Sequence, residues 1–177
     1  MVDQPTGFSE EEYLKFADLF RFWGERYSEI GVRPDWSGIA PQEPHGYPAM
    51  EISAREIGGD PGYILRREGA LVHQYWIERG SLDDMGEFRQ FSDALKAMSI
   101  LLASGYRRAK GYEPLYSKLD GIMPEGVEVS SLGDVEVYRI VGGDPDRYFR
   151  VYGDPGGLLP YMLAHSLSEV NADLLRP

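Results

Sequence analysis

The sequence predicts an α+β protein: an antiparallel sheet with helices packed on it and an amphipathic helix at the N-terminus, residues 1–177 forming one domain. Three observations predict it. Apolar residues recur at helical spacing near the start, middle and end of the chain. Short runs rich in β-branched and aromatic residues lie between them, separated by Gly-Gly-Asp-Pro and Glu-Gly turns. The strands come in blocks instead of alternating singly with helices, which favours an antiparallel sheet over a parallel one.

The first helix is expected over residues 9–29. Ser9 followed by Glu12 is a capping box, with Phe8 and Tyr13 at the flanking apolar positions. Three glutamates in the first turn complement the helix dipole. Leu14, Phe16, Ala17, Leu19, Phe20, Trp23, Tyr27 and Ile30 form the apolar stripe, Trp23 is assigned to the core, and Gly31 supplies the stop. Residues 32–48 hold four prolines and read as an extended connection without regular structure.

Strands are expected at 49–56, 62–67 and 71–79, then a second helix at 86–104 with Phe88, Phe91, Leu95, Met98 and Leu102 on one face. In that register Lys96 falls on the exposed side. After a connection the order repeats, with strands at 127–131, 134–141 and 147–152. A third helix carries Leu159, Met162, Leu163, Leu167, Val170 and Leu174. Gly58-Gly59-Asp60-Pro61 resembles Gly142-Gly143-Asp144-Pro145. The chain therefore reads as two βββα-like blocks, and 49–105 and 126–175 are either a pseudo-repeat or two blocks alike only in an ordinary Gly-Asp-Pro turn, since identity outside the turns is poor.

Composition narrows the function. With 29 acidic and 18 basic residues the formal charge is −11, which repels phosphate backbones and argues against nucleic acid. The same charge steers the chain toward a basic partner, although solubility alone also explains it. Cysteine is absent, excluding disulfides, thiolate metal sites and cysteine nucleophiles. The start lacks a basic run followed by an apolar stretch, and apolar runs such as residues 100–103 are too short to span a bilayer. A cytoplasmic protein with no membrane partner is expected.

No catalytic constellation is legible. His45, His73 and His165 are mutually remote in sequence, so no helical metal pair exists, and adjacent His165 and Ser166 diverge on a helix. The carboxylates at Glu10–Glu12, at Asp83-Asp84 and around Asp134 and Glu136 read as solvated faces that together make a negative field. The expectation is no enzyme, no metal and no cofactor. Trp36, Tyr112 and Tyr116 fall in connections, where an aromatic either tucks a loop down or anchors a contact. Gly153-Asp154-Pro155-Gly156-Gly157, ahead of the last helix, offers bare backbone beside a helix start. An ordinary strand-to-helix turn is the simpler account of it, since such turns are commonplace and no lysine follows to hold a phosphate.

The aromatic first helix, together with GYILRREGALVHQYWIERG, FRQFSDALKAMSILLASGYRR and YFRVYGDPGGLLPYMLAHSLSEV, resembles bacterial polymorphic-toxin immunity proteins. Within them it is most similar to the family containing the antitoxin to the tuberculosis necrotizing toxin. The resemblance implies a non-enzymatic cytoplasmic protein that occludes the active site of a secreted, NAD-hydrolysing toxin in a one-to-one complex. On that reading Gly153, Asp154, Pro155, Gly156 and Gly157 are the expected plug, because chain without bulky side chains approaches a cleft floor most closely. Asp83 and Asp84 are the expected steering carboxylates. The alternative is another acidic cytoplasmic binding module, such as a secretion chaperone or adaptor.

Overall fold

Ser9 opens α1 (Glu10–Glu29) as the sequence requires. Its hydroxyl accepts from the Glu12 N–H at 3.2 Å, and the Glu12 carboxylate accepts from the Ser9 N–H at 2.9 Å. Phe16, Leu19, Trp23 and Tyr27, spaced by three or four residues, are buried along one stripe. Leu14 remains exposed, and Phe8 lies against Phe91 with ring centroids 5.5 Å apart. Gly31 (φ 67°) takes the left-handed turn that stops the helix, and the Val32 N–H closes it on the Tyr27 carbonyl.

The structure is a computed structural model describing residues 7–34, 37–42, 49–53, 62–78, 81–115, 117, 124–132, 135–143, 148–152 and 158–177. Its strands are β1 (Ser37–Gln42), β2 (Ala49–Ser53), β3 (Gly62–Glu68), β4 (Leu71–Glu78), β5 (Ser81–Phe88), β6 (Val127–Leu132), β7 (Val135–Ile140) and β8 (Tyr148–Tyr152). They form one antiparallel sheet in the order β1-β2-β3-β4-β5-β8-β7-β6. The remaining helices are α2 (Phe91–Ala109), α3 (Leu158–Ala164) and α4 (Leu167–Leu174). The α+β class, the antiparallel sheet and the N-terminal helix stand as expected.

Four details differ. Residues 37–42, expected to be irregular, pair with β2 as an edge strand. The second helix begins at Phe91, because residues 81–88 form β5 against β4. That strand carries Leu82, Met85, Gly86 and Phe88 without clean alternation, since an extra residue interrupts it. The helix also runs through Gly105 and ends before Gly111 (φ 68°). Finally, the third helix is two: Ser166 caps α4 by accepting from the Glu169 N–H, while the Glu169 carboxylate accepts from the Ser166 N–H. The first block, 49–105, thus holds four strands against three in the second, β1 lies outside it, and the sheet order sets β3-β4-β5 and β6-β7-β8 in mirrored sequence about the β5–β8 pairing.

The core lies between one sheet face and the helices. Leu65, Val72 and Phe88 from the sheet meet Trp23, Tyr27, Leu95, Met98, Leu102, Met162 and Val170. Full burial of each such side chain contributes roughly 1.5–3 kcal/mol.

α2 is buried around most of its circumference, including a polar edge: Asp93, Lys96, Ser99 and Arg107 are each no more than 3% exposed. Lys96, expected at the surface, instead donates to Asp93 Oδ1 at 2.8 Å and to the Met162 carbonyl of α3 at 2.9 Å. Helices lie on that side as well as the sheet on the other, so the expected solvent face does not exist there. Ser99 accepts from Trp23 Nε1 of α1 at 2.9 Å and donates to Asn171 of α4. Arg107 donates to the Glu113 carbonyl in the connection after α2 (3.0 Å) and to the carbonyls of Leu174 (2.8 Å) and Arg176 (2.8 Å), satisfying oxygens at and just past the end of α4.

This arrangement makes Lys96 as sensitive as the apolar core. Lys96→Ala leaves Asp93 buried without its cation and is expected to destabilise by about 3–5 kcal/mol. Leu95→Ala is expected to cost about 2–5 kcal/mol. Urea unfolding of both variants checks this; a Lys96→Ala protein as stable as the parent contradicts the buried pair.

Candidate partner-binding end of the sheet

β5 carries both expected steering residues. Asp83 and Asp84 are exposed near its start, opposite Trp76 and Tyr75 of β4. Successive strand residues point to opposite faces, so the two carboxylates do not form one patch. The register then slips by one residue: Tyr75 pairs with Asp84, but Gln74 pairs with Gly86, leaving Met85 as a bulge. Asp84 Oδ1 accepts from the Gly86 N–H at 3.1 Å across that bulge.

On the other side of β5 runs β8, with Gly86 opposite Val151, Glu87 opposite Arg150 and Phe88 opposite Phe149. Because the pairing is antiparallel, β8 runs toward the start of β5 and ends at Tyr152, one position beyond the Gly86–Val151 pair and so beside the Asp84–Met85 stretch. The strand from which residues 153–157 continue therefore finishes at the end of the sheet where Asp83 and Asp84 stand. Gly153, Asp154, Pro155, Gly156 and Gly157 themselves lie outside the described residues, and so do His45, Trp36, Tyr116 and Asp134. Tyr112 is half-buried against the core, its ring 5.6 Å from the Arg107 guanidinium. That is the tucked alternative.

A cluster not singled out in the sequence covers the sheet face opposite the helices. Alternation along β3 and β4 places Arg66, Glu68, His73 and Tyr75 there, with Asp84 and Glu87 from β5. His73 Nδ1 is 3.7 Å from Asp84 Oδ2, and its Nε2 is 4.0 Å from Glu68 Oε2. Tyr75 donates to Glu68 Oε1 at 3.1 Å and stacks on the His73 ring at 5.9 Å. The Arg66 guanidinium lies 5.2 Å over the Tyr75 ring and 3.6 Å from Glu68. A signal for this cluster was present. The two-residue loop Gly69-Ala70 sets Arg66 opposite His73, so alternation alone assigns all four residues of β3 and β4 to one face.

The Asp84 carboxylate raises the His73 pKa above its ordinary 6.5, against the opposing effect of burial, and Glu68 and Glu87 add to the rise. Burial, then the Glu68 and Asp84 carboxylates, push the Tyr75 phenol upward, so it remains a neutral donor. His165, the other described histidine, stacks on Tyr161 with centroids 4.2 Å apart, and its Nδ1 is 2.9 Å from the Tyr161 carbonyl. Among the described residues, no group of three or more His, Asp or Glu side chains is arranged to hold a metal ion. No helix among them is long and apolar enough to cross a membrane.

The architecture is that of an α+β protein with helices on one face of an antiparallel sheet. Among solved structures it is similar to Rv3902c from M. tuberculosis, with a TM-score of 0.64 over 99% of this chain and 93% of that one. Identity between the two is 12%, so the likeness shows the fold. The sequence matches no protein-family profile and no curated protein.

The His73 environment has a measurable consequence. Its proton is held more tightly in the folded than in the unfolded chain. The resulting stabilisation is present below pH 6.5 and is lost as pH rises through the higher folded value. NMR titration is expected to place His73 above 6.5 in the parent and lower in Asp84→Asn. Equal values in the two proteins contradict the assignment to Asp84.

Proposed function

We propose that this chain is a cytoplasmic immunity protein that binds a secreted toxin one-to-one and blocks its active site, without catalysis or cofactor. The observation carrying this reading is topological. The β5–β8 pairing brings the exposed Asp83 and Asp84 to the same sheet end at which β8 finishes and residues 153–157 follow. The two carboxylates, on opposite faces of β5, and the strand that leads into the glycine-rich segment, about seventy residues apart in sequence, are thus neighbours at one end of the sheet. The net charge of −11 supports a partner of opposite sign. The sequence resemblance to the family of the tuberculosis necrotizing toxin antitoxin supports an NAD-hydrolysing toxin.

In this mechanism the buried helices hold the sheet rigid, so little ordering accompanies binding at its end. The carboxylates accelerate encounter, and Gly156 and Gly157 permit close backbone approach to the cleft floor. The occluded toxin then cannot admit its dinucleotide.

Co-expression tests the proposal. Bacteria carrying an NAD-hydrolysing toxin of the polymorphic class are expected to survive when this chain is present for its cognate member. NAD hydrolysis in vitro is expected to cease at an equimolar ratio. Gly156→Trp should remain folded by circular dichroism yet lose protection, and Asp83→Lys should slow association by about tenfold at low salt. If folded chain protects against no toxin of that class, the reading fails. Full protection by Gly156→Trp would remove residues 153–157 from the mechanism.

A further inference from the structure

The sheet has two outer strands, and they are built differently. β1 carries Pro41, which has no N–H to offer, and its register slips at Gly38. Proline and bulges are the devices by which natural sheets prevent an edge from pairing with another chain. β6 has neither. Its six residues pair with β7 in unbroken register from Val127–Ile140 to Leu132–Val135.

The outward groups of β6 can be assigned. The Val141 N–H donates to the Gly126 carbonyl at 2.7 Å, so Gly126 and Val141 are a hydrogen-bonded pair. Hydrogen-bonded and non-hydrogen-bonded pairs alternate in an antiparallel ladder. Glu128, Ser130 and Leu132 therefore turn their backbone groups toward β7, while Val129 and Ser131 turn theirs outward. The Val127 N–H is taken by the Pro124 carbonyl at 3.2 Å, so the outward-facing N–H groups begin at Val129. Among the described residues, none pairs with this edge. Glu128, Val129 and Ser130 are exposed, Val129 at 44%.

We propose that the outer edge of β6 is a strand-addition site for an extended basic segment of a protein partner. Main-chain hydrogen bonds from Val129 and Ser131 would supply affinity, and Val129 an apolar contact. Charge selects the occupant. A second copy also carries −11 and is repelled, whereas a segment with alternating lysines meets exposed Glu125 and Glu128. Arg139 stands across the ladder from Glu128 on the β7 side, leaving the outer side of Glu128 to the added strand. This site rests on the reading of the chain as a partner-binding protein and adds a second point of attachment to the sheet end described above.

The test uses peptides and not a toxin, so its failure is separable from failure of the immunity reading. The probes are a nonapeptide alternating Lys and Val, its Glu/Val counterpart, and the Lys/Val peptide N-methylated at alternate residues. The Lys/Val peptide is expected to shift the Val129 and Ser131 amide resonances and protect them from hydrogen exchange. The other two are expected to bind at least about tenfold more weakly. Val129→Pro removes an outward N–H without touching the β6–β7 ladder, so the variant is expected to fold and lose Lys/Val binding. Equal binding of all three peptides, undiminished binding to folded Val129→Pro, or no binding overturns the proposal. So does a concentration-dependent dimer of this chain abolished by Val129→Pro, which assigns the edge to a second copy. Toxin protection lost while Lys/Val binding persists counts against the immunity reading alone.

Discussion

The polar edge of α2 is the constraint on which the rest of the structure depends. Asp93, Lys96, Ser99 and Arg107 recur every three, three and eight residues, so they line one side of a helix whose other side is apolar core. Asp93 holds Lys96 in place, and the other three tie α2 to its neighbours. Lys96 reaches α3, Ser99 joins α1 to α4, and Arg107 gathers the carbonyls at the end of α4. Tyr27 adds a bond from α1 to the Leu102 carbonyl at 3.0 Å. Apolar packing alone would tolerate a slide of one helix along another. Buried donors and acceptors do not, because displacement leaves them unsatisfied in a medium without water. The apolar face supplies the bulk of the stability, and the polar edge selects one register for three helices.

That rigidity has a functional bearing through the sheet. α2 follows directly from β5, and β5 is where the two halves of the sheet meet. Fixing α2 therefore fixes the strand that carries Asp83, Asp84 and the Met85 bulge. On its other face the same strand contributes Asp84 to the His73 cluster. Asp84 thus holds the bulge through Gly86 and the imidazole through its second oxygen. Replacing Asp84 therefore disturbs local structure as well as the electrostatic field, a difference from Asp83 that the pairing of Asp84 with Gly86 and His73 imposes.

Much of this was legible in the sequence where one local rule acts on its own. Ser9 and Glu12 make a capping box whatever the rest of the chain does, and Phe16, Leu19, Trp23 and Tyr27 need only a helical period. Ser166-Leu167-Ser168-Glu169 obeys the same capping rule, but its apolar stripe continues across the break and conceals it. β5 was hidden because its bulge shifts the alternation by one residue after Asp84, so its pattern resembles neither a strand nor a helix. Lys96 was misplaced because helical periodicity reports one buried face, whereas a helix buried on two sides recruits a charged residue with its neutralising partner one turn away. Of the candidate site, Asp83 and Asp84 were placed correctly as exposed. Their proximity to the end of β8 follows from strand order, which no short motif encodes.

On the proposed function, the chain meets its partner at the sheet end where β8 finishes beside Asp84 and Met85 of β5. Hydrogen–deuterium exchange of the chain, alone and in complex with the toxin partner proposed above, tests it most directly. The account predicts added protection at residues 81–85 and 152–158, with the amides of α2 unchanged because they are already buried. Protection confined to the exposed faces of α1 and α4, with residues 81–85 and 152–158 exchanging as in the free chain, would contradict it.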